Sequence, residues 1–456
     1  MTTTLQPLPS PPSLAEPKGY PVIGHALNYR LNPLNFYSRC AEYGDFVRLR
    51  FGPHPVYFLN HPDLIKEVFV TKGSSFLARA EGRESRFFDP LFGNGLAVSE
   101  GTFWRRQRRL TQPIFQRSHL VNYGDLAVAQ MRAQVDTWSA GDVFDIRPVM
   151  TRCARQIIAH IAFGEAGLAH LNSIEAVLNA ALTEYDNRDR NWLLYLMPEH
   201  FPTPSNRRYH EAAEAMDRWI YEVIETRRQH NSNTGDMLCQ LLKVQDDTGV
   251  GMSDRELRDE LVNVIVGHDT IPDVFCWAWW QIAHYPDWED RLVEEWRTVL
   301  GGRSPSMEDI PRLPLTEWTI KETLRLYPLA WVTGRVATQA CEIAGQPIHP
   351  GENVVMCQWV THRDSRWFDD PHRFNPLRWA PDATQRIPPQ AYYPFGGGPR
   401  ACTGQGLTML ETVLLLADIG QRFQLRPLPG QNMEPHPGPS FSLRPPQGLQ
   451  VQILVR

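Results

Sequence analysis

Residues 253–285 carry the pattern that most restricts the fold. Ser253 and Glu256 stand at capping-box spacing, and the run ELRDELVNVIVGHDTIPDVFCWAWWQIAHY stays helical in pattern until Pro286 stops it. At about 1.5 Å per residue such a helix spans roughly 50 Å, the width of a large domain. Its middle, VNVIVG, is apolar almost all round, so it is expected to run through the core. Two features disturb it. Asp269 and Thr270 interrupt the apolar face, and Pro272 removes an N–H while pushing the His268 carbonyl away. An interior proline costs about 3 kcal/mol, and its distortion falls on His268 to Thr270.

The remaining signals are mixed in type. Asp45–Leu59 (DFVRLRFGPHPVYFL) has two short β-like runs and reads as a hairpin. From about Trp104 to Glu295 the pattern is mostly helical. Further helices are predicted over Asp287–Leu300, stopped by Gly301-Gly302, over Leu315–Leu326, and from about Gly404 to Arg422. The expected fold is mainly α with a small β portion, with a Pro-rich leader over 1–20 and a single domain over 21–456.

Charge and cysteine usage narrow the function. The net charge of −5 gives no reason to expect a nucleic acid or an anionic membrane as partner. The seven cysteines are scattered without a CxxC pair, which argues against a disulfide framework and a zinc site and favours a reducing compartment. The N-terminus lacks the basic start and apolar core of a signal peptide. No apolar run approaches the roughly 20 residues of a membrane span. A cytoplasmic protein without a transmembrane anchor is expected.

One cysteine stands apart. In PFGGGPRACTGQG, Cys402 lies between a glycine-rich loop and a helix start. Loop N–H groups and the helix end would lower the thiol pKa, and the glycines would let a flat cofactor approach. On these residues alone a small buried hydrophobe is as good a reading, and a nucleophile with a histidine partner stays open. A phosphate loop does not, because neither GK[ST] nor a full GxGxxG is present; Gly93-Asn94-Gly95 lacks the third glycine.

The segment FGGGPRACTG resembles the cysteine-ligand loop of the cytochrome P-450 family, Phe-x-x-Gly-x-Arg-x-Cys-x-Gly. Phe395, Gly398, Arg400, Cys402 and Gly404 fill its specified positions. Other matches fall in the family's order. Glu322 and Arg325 of KETLRLYP, with Arg378 of FNPLRW, match a buried network that supports the cysteine loop; Leu377 stands where the family commonly has Glu. Trp104 and Arg108, then Arg335 and Arg400, match contacts to the haem propionates. Gly267-His268-Asp269-Thr270 is similar to the oxygen-activating motif, with Val266 where alanine is common.

The resemblance implies a P-450-like fold whose long central helix crosses over haem b, with Cys402 as the axial ligand to iron. Thr270 would hold dioxygen and a water by hydrogen bonds, and Asp269 would relay protons; His268 is taken as structural. The activity implied is monooxygenation of a C–H bond, with electrons from NAD(P)H through a ferredoxin-type donor and its reductase. Arg105, Arg106 and Arg109 are candidates to dock that donor, and the enzyme is expected to be a monomer. Apolar residues in family-variable segments, namely Phe87, Phe88, Phe92, Trp192 to Leu194, Leu329 to Val332 and Phe441, suggest a large hydrophobic substrate. LRLYPLAWVTGR is similar to carotenoid-ring hydroxylating members, so a terpenoid or carotenoid is expected. The alternatives are a fatty-acid hydroxylase, a peroxide-using haem-thiolate enzyme and a haem-thiolate gas sensor.

Overall fold

A computed structural model describes residues 14–77, 89–191, 194, 197–198, 201–230, 234–437 and 442–456. Helices dominate it. The longer ones are α1 (Gly101–Thr111), α2 (Arg117–Val135), α3 (Ile146–Phe163), α4 (Leu171–Arg190), α5 (Pro204–His230), α6 (Asp254–His268), α7 (Ile271–His284), α8 (Pro286–Leu300), α9 (Pro314–Leu326) and α10 (Gln405–Arg422). The last three match the predicted boundaries closely, and α8 ends at Gly301 in the left-handed conformation (φ 56°, ψ 33°), where a side chain would be strained.

The predicted 50 Å helix is in fact two. Its start is as expected: the Glu256 N–H donates to the Ser253 hydroxyl at 3.3 Å, and the Ser253 N–H donates to the Glu256 carboxylate at 2.7 Å. The helix then stops at His268, turns through Asp269 and Thr270, and restarts at Ile271. In the turn the Asp269 N–H reaches back only to the Val266 carbonyl, at 3.2 Å, and the Thr270 hydroxyl caps the Gly267 carbonyl at 3.0 Å. Pro272 is thus the second residue of α7. First-turn N–H groups have no partner within a helix, so the cost of an interior proline does not arise there.

Around α6 and α7 pack α3, α5, α9 and α10, with α2 lying along α10. The main core is theirs, and Trp277, Trp279 and Trp296 are its largest fully buried side chains. To one side lies a five-stranded sheet of β1 (Phe46–Phe51), β2 (His54–Leu59), β3 (Phe76–Leu77), β4 (Thr333–Ala337) and β5 (Asn353–Met356), in the order β1-β2-β5-β4-β3. β1 and β2 form the predicted hairpin, with Phe46 opposite Leu59, and β2 runs parallel to β5. The leader meets this sheet at Ala15, which bridges to Val47; residues 1–13 lie outside the described residues.

Substituting Pro272 by alanine returns an N–H for the His268 carbonyl but removes the ring carbons of a buried side chain. The expected outcome is a thermal unfolding midpoint equal to or above that of the unmodified chain. A loss of more than about 1 kcal/mol would mean that the proline ring itself is a packing element.

Candidate active site

Cys402 is the one exposed cysteine; Cys341 is partly buried and the other five are buried. Cys402 stands near the end of the loop 393–404. The Cys402 N–H donates to the Phe395 carbonyl at 2.9 Å, closing the loop on itself. The N–H groups of Gly404 and Gln405, together with Arg108, favour the thiolate as expected. Burial nevertheless outweighs them and raises the thiol pKa, against the sequence expectation.

The loop glycines have a second purpose not expected from sequence. A Cβ on Gly397 would stand 2.5 Å from the Phe69 ring, and one on Gly398, whose φ is +67°, would stand 1.9 Å from the Phe69 carbonyl oxygen. These two glycines are needed for close packing on a neighbouring turn, residues 67–71.

Glu322, Arg325 and Arg378 meet as predicted, wholly buried. Arg325 donates to both Glu322 oxygens at 2.8 and 2.9 Å, Arg378 donates at 3.3 Å, and the Asn375 N–H and Trp379 indole supply donors at 2.9 and 3.1 Å. Leu377 is exposed, so the glutamate it replaces leaves no gap in the network. The rest of the Arg325 guanidinium binds the carbonyls of His362, Pro371 and Arg373. His362 then accepts the Tyr393 N–H at 2.9 Å, and Tyr392 donates to the Lys321 carbonyl at 3.0 Å. In this way the network reaches the first residues of the cysteine loop.

Three guanidiniums converge beside that loop. Arg108 donates to the Ala401 carbonyl at 3.0 Å. Arg400 binds the Ser99 carbonyl and the Glu100 carboxylate and lies 3.9 Å above the buried Trp104 ring. Arg335, over the Phe69 ring at 5.2 Å, is brought down to about 10 by burial and by the charge of Arg400. Burial lowers Arg108 and Arg400 too. Among the described residues no carboxylate pairs with Arg108 or Arg335, so positive charge is in excess beside the loop. That is the donor set two propionates require, and haem fits the residues present.

On the central helix, Gly267 is exposed, with open space where a Cβ would point, close in sequence to Thr270. Asp269 is held by Arg155 of α3 through Nε at 2.7 Å and Nη2 at 3.2 Å, a partner the sequence reading missed. A second missed feature is the strap of residues 90–97 along α6. Arg258 binds the carbonyls of Pro90 and Leu91, Asp259 and Asn263 accept from the N–H groups of Asn94 and Ala97, and Glu260 accepts from that of Leu96 at 3.2 Å. Gly93 and Gly95 are glycine because Cβ atoms there would collide with Asp259 and Asn263. The signal was present in the sequence: ELRDELVN puts charged side chains on a helix that had to be buried.

A family model described as Cytochrome P450 matches residues 14–453. The chain belongs to the cytochrome P450 family. It is 33% identical over 437 residues to "Cyclooctatin synthase" of Streptomyces melanosporofaciens, covering 94% of this chain and 93% of that one. "Cyclooctat-9-en-7-ol 5-monooxygenase" of the same organism is 32% identical, over 91% and 90% of the two chains. "Pentalenene oxygenase" of Streptomyces avermitilis is 31% identical over 92% of each. This cytochrome P450 is therefore a monooxygenase that uses haem with a cysteine thiolate, dioxygen and electrons from redox partners. No described helix is long and apolar enough to cross a membrane.

Two segments expected to line the substrate side do meet in this P450. Leu329 accepts the Leu443 N–H at 3.0 Å, and Ala330 bridges to Ser442. Trp331 does not belong with them: it is buried against Tyr37 in the core beside the sheet. Phe87, Phe88, Trp192, Leu193 and Phe441 lie outside the described residues. The basic face expected on α1 is also reduced. Arg106 is paired with Asp246 and Glu256, and Arg109 with Asp247, leaving Arg105 as the exposed arginine without a carboxylate among the described residues.

Two outcomes test this arrangement. Glu322→Ala leaves Arg325 buried without its carboxylate and should cost about 3–5 kcal/mol in urea unfolding, with loss of haem retention. Glu260 is raised to about 8, first by burial, with Asp259 and Glu256 adding to it. The folded chain thus binds a proton there that the unfolded chain releases near the usual carboxylate pKa, so this group's contribution to stability falls as pH rises towards 8. Glu260→Gln should remove that loss, and its advantage over the unmodified chain in urea midpoint should grow between about pH 5 and about pH 8.

Proposed function

We propose that this P450 hydroxylates a terpenoid, with Cys402 as the axial ligand and Trp104, Arg108, Arg335 and Arg400 holding the propionate edge of the haem. The observation that carries the assignment is the exposed Cys402 thiol, set among the N–H groups of Gly404 and Gln405 near Arg108, which pairs with no carboxylate among the described residues. Phe395 supports the thiol through its carbonyl, which holds the Cys402 N–H at 2.9 Å. When bound, haem supplies the activation of dioxygen for attack on a C–H bond.

The chain's own residues then manage water and protons. The Thr270 hydroxyl donates to the Gly267 carbonyl, so its oxygen remains able to accept from a water in the open space beside Gly267. Rotation of that hydroxyl turns the same group into a donor at the oxygen side. Asp269 relays the replacement proton by releasing one arm of Arg155, and that pairing holds the carboxylate in place between turnovers.

The terpenoid reading rests on relatives named for cyclooctatin and pentalenene chemistry, and on the apolar segments around Phe92 and Leu329. A carotenoid belongs to the same class; a fatty acid is the competing substrate. A separate ferredoxin-type protein with its reductase delivers the electrons to a monomeric enzyme, and Arg105 is the arginine left on α1 to meet it.

Cys402→Ser is expected to abolish the red-shifted Soret band of the reduced carbon monoxide complex; a variant keeping that band would place the ligand elsewhere. Thr270→Ala should go on oxidising NAD(P)H while releasing more peroxide. Spectral shifts of the haem on adding a panel of terpenoids and fatty acids decide between the substrate classes.

A further inference from the structure

His268 and Glu411 take no part in the reading above, yet they make a contact that the interior tolerates in only one charge state. Nε2 of His268, at the end of α6, lies 3.3 Å from Oε2 of Glu411, on α10 below the cysteine loop. The two side chains are 4% and 0% exposed. Among the described residues neither Nε2 nor either Glu411 oxygen makes a hydrogen bond, so this approach is the one polar contact of Nε2 and Oε2. A carboxylate here would be desolvated with no N–H to receive, and even an ion pair would leave Oε1 with nothing. Burial alone acts on both groups: it pushes Glu411 well above the ordinary carboxylate range and holds His268 down to about 3, with no contribution from any charged group on the surrounding helices. The combination that satisfies both is a protonated carboxyl facing an imidazole lone pair.

We propose that Glu411 keeps its proton and donates it in a hydrogen bond to Nε2 of His268, and that this neutral bond positions the Asp269–Thr270 turn against the helix leading from Cys402. The turn needs such an anchor. Pro272 has no N–H for the His268 carbonyl, so the helical ladder is interrupted at the residue whose side chain the bond holds. Both residues act through the turn, and the inference rests on the proposed roles of Asp269, Thr270 and Cys402.

The test uses the haem-loaded enzyme. The infrared difference spectrum between the unmodified protein and Glu411→Gln should contain the carbonyl band of a protonated carboxylic acid. With ferredoxin, its reductase and NAD(P)H, Glu411→Gln should release peroxide per NAD(P)H much as the unmodified enzyme does, because its amide N–H still reaches Nε2. Glu411→Leu should release several-fold more, at an unchanged or higher unfolding temperature. A purely structural role would move the unfolding temperature and leave the peroxide ratio alone. Carboxylate bands in place of the acid band, or equal peroxide from the Leu and Gln variants, would overturn the proposal. If Glu411→Leu does not fold, the infrared result on Glu411→Gln decides by itself. The red-shifted carbon monoxide band should persist in every variant. Its absence from the unmodified protein would overturn the haem-thiolate reading, which the infrared result on Glu411 does not test.

Discussion

The buried ion pair of Glu322 and Arg325 is the constraint on which the rest of the molecule depends. Two opposite charges in a fully enclosed site are costly unless every lone pair and N–H is used. Here five donors converge on one carboxylate, and the guanidinium spends its remaining N–H groups on three carbonyls from the stretch 362–373. An irregular segment rich in proline and glycine has no ladder of its own to hold it. The pair supplies that ladder, and through His362 and the two tyrosines it sets where the cysteine loop begins.

The break between α6 and α7 follows a contrasting logic. A continuous α6–α7 helix would bring its backbone groups into pairs with one another and leave nothing to bind a small polar guest. Breaking it at Asp269 and Thr270 releases those groups, and the sequence makes the break inexpensive by placing proline in the first turn of the second helix. The exposed groups are then held from three directions, by Arg155 on Asp269, by Thr270 on Gly267, and by the contact between His268 and Glu411.

What the sequence disclosed depended on the range of each interaction. The capping box, the left-handed glycine after α8, the β1–β2 hairpin and the Glu322–Arg325 spacing are local, and each was legible. The split of the central helix was half legible: the position of the strain could be read from Pro272, but a kinked single helix and two helices differ only by hydrogen bonds that form in the folded chain. Arg155 and Glu411 were not legible, because their partners lie more than a hundred residues away; for the strap at 90–97 the charged run ELRDELVN signalled that a partner was needed but not which segment supplies it. The glycines of the cysteine loop show the same limit. Their presence was plain, while the reason for two of them, the backbone of Phe69, comes from the other side of the molecule.

Phe69 also shows how tightly the two ends of the site are tied. Its carbonyl and ring edge leave room for nothing larger than glycine at 397 and 398, and its ring face lies under the guanidinium of Arg335. One aromatic residue therefore sets both the reach of the loop that bears the thiol and the attitude of the Arg335 cation. An engineer wishing to retune the thiol environment alone has no independent handle here. Any exchange at position 69 alters two settings together, and natural variants should be found to change at 69, 335 and 397–398 as a group.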